Sequence, residues 1–178
     1  MKSKALVSWS GGKDGCLALH RVRAQFDVTT LLTMLIDDGS RTRSHGLRPQ
    51  FIEAHAKSLG AEALFGKASW PEYENEFIRL LSASAAKGIT HAIFGDVFPD
   101  AHRQWVEKVC AAAGVEAVLP LWADNTKHLA EEFIDAGGEA ILVTVRAALL
   151  GQEWLGRKLD RQAMETGCRH TLDNCLKA

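Results

Sequence analysis

The sequence predicts an α/β fold in which one mostly parallel sheet of five or six strands carries helices on both faces. Two observations predict it. Amphipathic segments that end at glycine are followed at once by short β-prone runs, four times along the chain. Before them, a strand-like run leads through a glycine turn into a further helical pattern. Such alternation gives parallel strands covered on both faces, because each return to the sheet needs a crossover helix.

The elements follow in order. Ala5 to Trp9 reads as the first strand, a helix runs from about Asp14 to Ala24, and Thr30 to Ile36 is the next strand. Phe51, Ile52, His55, Ala56 and Leu59 recur at helical spacing before Gly60 and the strand Ala61 to Phe65. Tyr73, Phe77, Leu80 and Leu81 do so before Gly88 and His91 to Phe94. Trp105, Val106, Val109, Cys110 and Ala113 precede Gly114 and Val115 to Leu119, and Leu129, Ala130, Phe133 and Ile134 precede Gly137-Gly138 and Ala140 to Val143. Glycine suits the left-handed position just past a helix, so each repeat marks a helix end feeding a strand. Arg41 to Pro49, the most polar stretch between strong elements, is expected as a mobile loop. An α/β domain over 1–150 is expected, with 151–178 as a C-terminal extension packed on it or trailing from it.

The bulk properties set limits. A chain of 178 residues, 47% hydrophobic and 24% charged, suffices for one ordinary core. A net charge of -1 and a pI near 6.7 give no basic footprint, so nucleic acid is an unlikely partner. Cys16, Cys110, Cys168 and Cys175 lie too far apart in sequence for a C-x-x-C pair and are expected as reduced thiols. The apolar run before Gly11 is too short for a signal peptide or a membrane span, which makes the cytoplasm the expected compartment.

In open parallel sheets, ligands bind outside the carboxyl ends of the strands. The residues to inspect are therefore Ser10 to Gly15, Asp37 to Gly39, Gly66 to Trp70, Gly95 to Asp100, Pro120 to Asp124 and the segment after Val145. Ser10-Gly11-Gly12-Lys13-Asp14-Gly15 stands at a strand end and opens a helix. Two glycines let the backbone approach an anion, the helix N-terminal amides point at it, and Lys13 adds positive charge. These features describe a phosphate site, although a glycine turn capping a helix is the simpler alternative. It is not a Walker A loop, since the required earlier glycine falls at Val7 and the residue after the lysine is Asp14, and it does not match G-x-G-x-x-G.

Ser10 to Asp14 resembles the PP-loop signature S-G-G-x-D-S of the N-type ATP pyrophosphatases, with Gly15 where that group usually has Ser or Thr. His45-Gly46-Leu47-Arg48, Gly95-Asp96-Val97, His102-Arg103-Gln104-Trp105, Pro120-Leu121-Trp122 and Leu155 to Asp160 further resemble the diphthine-ammonia ligase-related family. The likeness runs from about Leu6 to Asp160 and implies an adenine-nucleotide α-hydrolase-like, HUP-type fold. It implies that Ser10, Gly11, Gly12, Lys13, Asp14, Gly15, His45, Gly46, Arg48 and Gly95 bind ATP, with Lys13, Asp14 and Asp96 catalytic. Asp14 and Asp96 are the expected Mg²⁺ ligands, although Asp96 could simply cap the following helix. Tyr73, Glu76, His102, Arg103 and Trp122 are candidates for the substrate side. Tyr73 fits a packing stripe equally well, Arg103 fits a solvated charge, and Trp122 is either a loop anchor or a pocket wall. Relatives usually continue into a G-E-x-G-E-[FY]-x-T segment, which Met164 to Ala178 does not contain.

The resemblance implies an AMP-forming ligase that adenylates a carboxylate and passes the acyl group to ammonia or an external nitrogen donor, giving an amide. The acceptor is an unidentified carboxylate on a small molecule or a modified protein. The competing expectations are an adenine-nucleotide hydrolase and a nucleotide-binding module without turnover.

Overall fold

A computed structural model describes residues 2–145 and 147–168. Two compact units divide the chain, Met1–Trp122 and Ala123–Ala178. In the first, the elements run β1 (Ser3–Ser8), α1 (Lys13–Val22), β2 (Phe26–Leu35), α2 (Pro49–Leu59), β3 (Glu62–Lys67), α3 (Tyr73–Ala85), β4 (His91–Ile93), α4 (Asp100–Ala113) and β5 (Glu116–Val118). The five strands form one sheet in the order β3-β2-β1-β4-β5, and every pairing is parallel. This is the expected fold.

The sequence explains the order of burial. Ala5, Leu6 and Val7 of β1 are wholly buried, as a central strand covered on both faces requires. Right-handed crossovers put α1 and α2 on one face and α3 and α4 on the other. On the α3–α4 face, Phe77, Leu80 and Leu81 meet Val106, Val109 and Cys110 over Leu6, Leu32 and Ala92 in one cluster. The helix-ending glycines behave as expected where the chain must turn at once into a strand: Gly60 and Gly114 have φ of 67° and 72°, and their amides close onto the last helical carbonyls.

One expectation changes. Ala140 to Val143 adds no strand to the sheet; Ile141 makes an isolated antiparallel bridge to Lys158, flanked by bonds from Leu142 N to Arg157 O and from Leu159 N to Ala140 O. The β-prone run has found a short local partner instead, which leaves Ile141 62% exposed. The stretch from Arg41 up to α2 forms a hydrogen-bonded turn built on Thr42.

In the second unit, α5 (Thr126–Asp135) is capped by Asn125, whose side chain accepts from the amides of Lys127 and His128. A 3-10 turn over Gln152–Trp154 and α6 (Arg161–Cys168) follow. Leu159 and Met164 pack on Ala130, and Leu150 and Trp154 pack on Ala163. Cys175, and most of the stretch from Met164 to Ala178, lie outside the described residues. Among those described, no helix is long and apolar enough to cross a membrane.

Candidate functional site

The strand order fixes where a ligand can bind. The chain winds outward from β1 to β3 and then returns past β1 to β4, so its direction reverses between β1 and β4. At such a reversal the loops leaving the two strands part and open a crevice at their carboxyl ends. Val7 pairs with Leu31 on one side and Ile93 on the other, which brings the ends of β1 and β4 level while β2 runs on to Leu35. Ser10 to Lys13 leaves β1 into this crevice, and Gly95-Asp96 enters it just beyond β4.

These two loops touch at the level of their backbones. A Cβ on Gly95 would stand 2.6 Å from the carbonyl carbon of Asp14 and from the amide nitrogen of Gly15. Only glycine permits that approach, and through it the residues of the two expected catalytic carboxylates, Asp14 and Asp96, share one crevice.

The glycine loop is shaped from both sides. Gly11 has φ of +83°, and a Cβ there would meet Leu47 Cδ1 at 2.6 Å. A Cβ on Gly12 would meet the His45 ring, 2.6 Å from Cε1 and 2.8 Å from Nε2. Gly12 is also the N-cap of α1 and supplies no side-chain cap, so no capping side chain occupies the helix's first amides. Ser10 Oγ accepts a long bond from Gly12 N, at 3.4 Å. Lys13 Nζ donates to both carboxylate oxygens of Asp14, each at 2.8 Å. Upstream, buried Trp9 fixes the strand end: its Nε1 donates to His55 Nδ1 at 3.2 Å, and its carbonyl accepts from Thr33 Oγ1.

The loop after β2 supplies the wall facing Gly11 and Gly12. Thr42 is buried; its amide donates to Leu47 O at 2.7 Å, while its hydroxyl and carbonyl accept from the amides of Leu47 and Gly46. This closed turn holds His45 against Gly12. Burial pushes the His45 pKa down, opposed by a hydrogen bond with the Ser10 backbone and by the charge of Asp14, so the imidazole is neutral at neutral pH. Its Nδ1 is buried without a hydrogen-bond partner. Gly46 and Arg48 are exposed; the Gly46 carbonyl accepts from Arg41, and Arg48 lies over the Phe51 ring, 5.9 Å from its centroid.

Beyond Asp96 the candidates for the substrate side separate. His102 Nδ1 is 3.1 Å from Asp96 Oδ1, which makes His102 a neighbour of the crevice. Tyr73 packs among Trp70, Phe77 and Trp105, with ring centroids 5.4, 6.0 and 5.8 Å away. Burial raises its pKa, and it also feels the charges of Arg43 and Asp96, so it belongs to the core and to the edge of the crevice at once. Glu76 turns instead to Arg79, bonded at 2.7 and 2.8 Å. Arg103 is held by Glu107 at 2.7 Å and lies 5.6 Å from the centroid of half-buried Trp122.

Sequence reasoning missed Arg43 and reached Trp70 only as the end of a stretch to inspect. Arg43 donates to the Ala68 carbonyl and to Asp37, and its guanidinium lies 4.7 Å from the Trp70 centroid and 5.7 Å from that of Tyr73. One side chain thus ties the β2 loop to the β3 loop and carries Trp70, which is 71% exposed. The available signal was position: both residues follow strands at the carboxyl edge.

The donor set fits a polyphosphate, with open helix amides, Ser10 Oγ and Lys13 behind two glycines. Among the described residues no group of three or more His, Cys, Asp or Glu is placed to hold a metal ion. Asp14 and Asp96 suit Mg²⁺ only if phosphate and water oxygens fill the rest of its shell.

Residues 1–117 match the family described as "Diphthamide synthase N-terminal domain", and residues 125–173 match "Diphthamide synthase C-terminal domain". The diphthine–ammonia ligase of Schizosaccharomyces pombe is 25% identical over 176 residues, covering 88% of this chain. This chain spans 29% of that protein. A solved structure titled as a predicted subunit of tRNA methyltransferase from Methanocaldococcus jannaschii gives a TM-score of 0.41 at 13% identity, covering 76% of this chain and 88% of that one. With the first family match alone spanning residues 1–117 of 178, the chain belongs to the diphthamide synthase family, a diphthine-ammonia ligase-related family of PP-loop proteins.

Proposed function

We propose that this chain is an ATP-dependent, AMP-forming ligase that activates a carboxylate and delivers it to ammonia or an external nitrogen donor as an amide. The observation that carries the reading is the uncapped N-terminus of α1 behind Gly11 and Gly12, set at the strand-order reversal with Gly95-Asp96 pressed against Asp14-Gly15. Helix amides and Lys13 would hold the β- and γ-phosphates. An acceptor carboxylate oxygen would then attack the α-phosphorus, pyrophosphate would leave, and ammonia would displace AMP from the acyl carbon. Mg²⁺, held by Asp14 and Asp96 with phosphate oxygens, would neutralise the charge that develops on the leaving pyrophosphate. The chain's own part is positioning and electrostatic stabilisation: His45 and Leu47 wall the loop, and Tyr73, His102 and Trp122 stand toward the acceptor.

A second reading, nucleotide binding without turnover, is favoured by Gly15, which lacks the hydroxyl that PP-loop relatives usually present. Incubation with α-labelled ATP separates the readings. AMP formed only with a carboxylate and ammonia supports the ligase, AMP formed without them indicates a hydrolase, and tight binding with no product indicates the module. Lys13→Ala should weaken ATP binding several-fold; equal affinity in two folded proteins would remove the loop from the site.

A further inference from the structure

The cation of the glycine loop is already engaged. Lys13 and Asp14 are neighbours in the first turn of α1, their side chains are 15% and 26% exposed, and Nζ donates to both carboxylate oxygens. Two of the three ammonium N–H groups are thereby spent on a residue of the loop itself. A phosphate seated on the α1 amides has to win them from Asp14. Among the described residues, the other cations near the loop are each engaged elsewhere. His45 on Gly12 is neutral at neutral pH. Arg43 is taken by Asp37 and the Ala68 carbonyl, Arg41 by the Gly46 carbonyl, and Arg48 lies over Phe51. With Lys13 paired to Asp14, the loop, as built, presents the α1 amides and Ser10 Oγ to an anion.

We propose that the Lys13–Asp14 pair is an autoinhibitory clasp, which frees Lys13 for a polyphosphate only when a divalent cation takes up Asp14. The proposal rests on the nucleotide reading above and adds to it a coupling between metal and phosphate built into two adjacent side chains. Linkage requires the coupling to be reciprocal: the cation strengthens polyphosphate binding by the factor by which polyphosphate strengthens cation binding. Simple repulsion between Asp14 and phosphate also makes binding metal-dependent. The two mechanisms differ in one respect. Repulsion acts whether or not Lys13 is present, whereas a clasp has nothing to hold once Lys13 is gone.

A double-mutant cycle decides it, read by calorimetric binding of the non-hydrolysable analogue AMP-PNP to wild type, Asp14→Asn, Lys13→Ala and the double variant, in EDTA and in Mg²⁺. In EDTA, Asp14→Asn should bind about fivefold more tightly than wild type, while the same change in the Lys13→Ala background should alter affinity by less than about twofold. Mg²⁺ should raise wild-type affinity about tenfold and that of Asp14→Asn by less than about twofold. An equal gain in both backgrounds would identify repulsion and overturn the clasp, as would no gain in EDTA. Wild type that fails to bind AMP-PNP even with Mg²⁺ would sink the nucleotide reading and the clasp together; binding with a flat cycle sinks the clasp alone. Thermal melting checks each fold, and Asp14→Ser replaces Asp14→Asn if the latter does not fold.

Discussion

Gly95 and Asp14, 81 positions apart in sequence, are in backbone contact: a methyl group on Gly95 would come within 2.6 Å of the Asp14 carbonyl carbon and 2.8 Å of its oxygen. Backbone cannot swing aside as a side chain can. Gly95→Ala must therefore push the β4 end and the glycine loop apart, and is expected to cost about 1–3 kcal/mol of stability. Chemical denaturation measures that loss, and ATP affinity should fall in the protein that remains folded. Wild-type stability and affinity in Gly95→Ala would show that the two loops do not abut.

Gly15 is the converse case. A Cβ there would lie 3.7 Å from Ser8 O and from Trp9 Cε3, an ordinary contact. Gly15→Ser should be accommodated, and it should gain about 0.5 kcal/mol because glycine is a poor helix residue inside α1. The unfolding midpoint should rise slightly, with ATP affinity no lower than wild type.

The buried imidazole of His45 makes stability depend on pH. Its folded pKa is lowered from the ordinary 6.5, chiefly by burial. Below that value the unfolded chain binds the proton more readily than the folded one, so stability is complete above about pH 6.5 and is lost as pH falls toward the folded pKa. Urea midpoints at pH 7.5 and 5.5 should differ less in His45→Asn than in wild type. An equal acid loss in both would assign the effect to other groups.

How much of this was legible in the sequence follows from the range of the interactions. The helix ends at Gly60 and Gly114 and the apolar run of β1 are local signals, and they placed the parallel sheet. The glycine loop was legible because strand, turn and helix are adjacent in the chain. The turn around Thr42 was not, since its polar residues read as a solvated loop while their hydrogen bonds close only in three dimensions. Ala140 to Val143 has strand composition, but its partner, around Lys158, is chosen by tertiary contact. Glu76 could not be assigned a direction, because helical spacing offers it Arg79 as readily as the crevice.

Arg43 illustrates the same gap and can be tested directly. Its guanidinium joins the Ala68 carbonyl, Asp37 and two aromatic faces, so Arg43→Met should destabilise by about 1–3 kcal/mol. Arg43→Lys should recover little of it, because an ammonium lacks the flat fork that both stacks and bonds. Asp37 is 68% exposed, so Asp37→Asn should cost less than about 1 kcal/mol. A large loss in Asp37→Asn with none in Arg43→Met would reverse the assignment.

The last prediction concerns the bond that breaks. On the ligase reading proposed above, the α1 amides and Lys13 would hold the β- and γ-phosphates and leave the α-phosphorus open to the acceptor. Turnover should therefore require Mg²⁺ and release AMP and pyrophosphate, resolved by ³¹P NMR or by chromatography of labelled products. With Mg²⁺ present, Asp14→Asn should impair turnover more than Asp37→Asn or Asp124→Asn, since neither of those residues belongs to the glycine loop. Primary release of ADP and orthophosphate would mean that the loop holds the wrong end of the triphosphate for adenylation, and the ligase reading would fall with it.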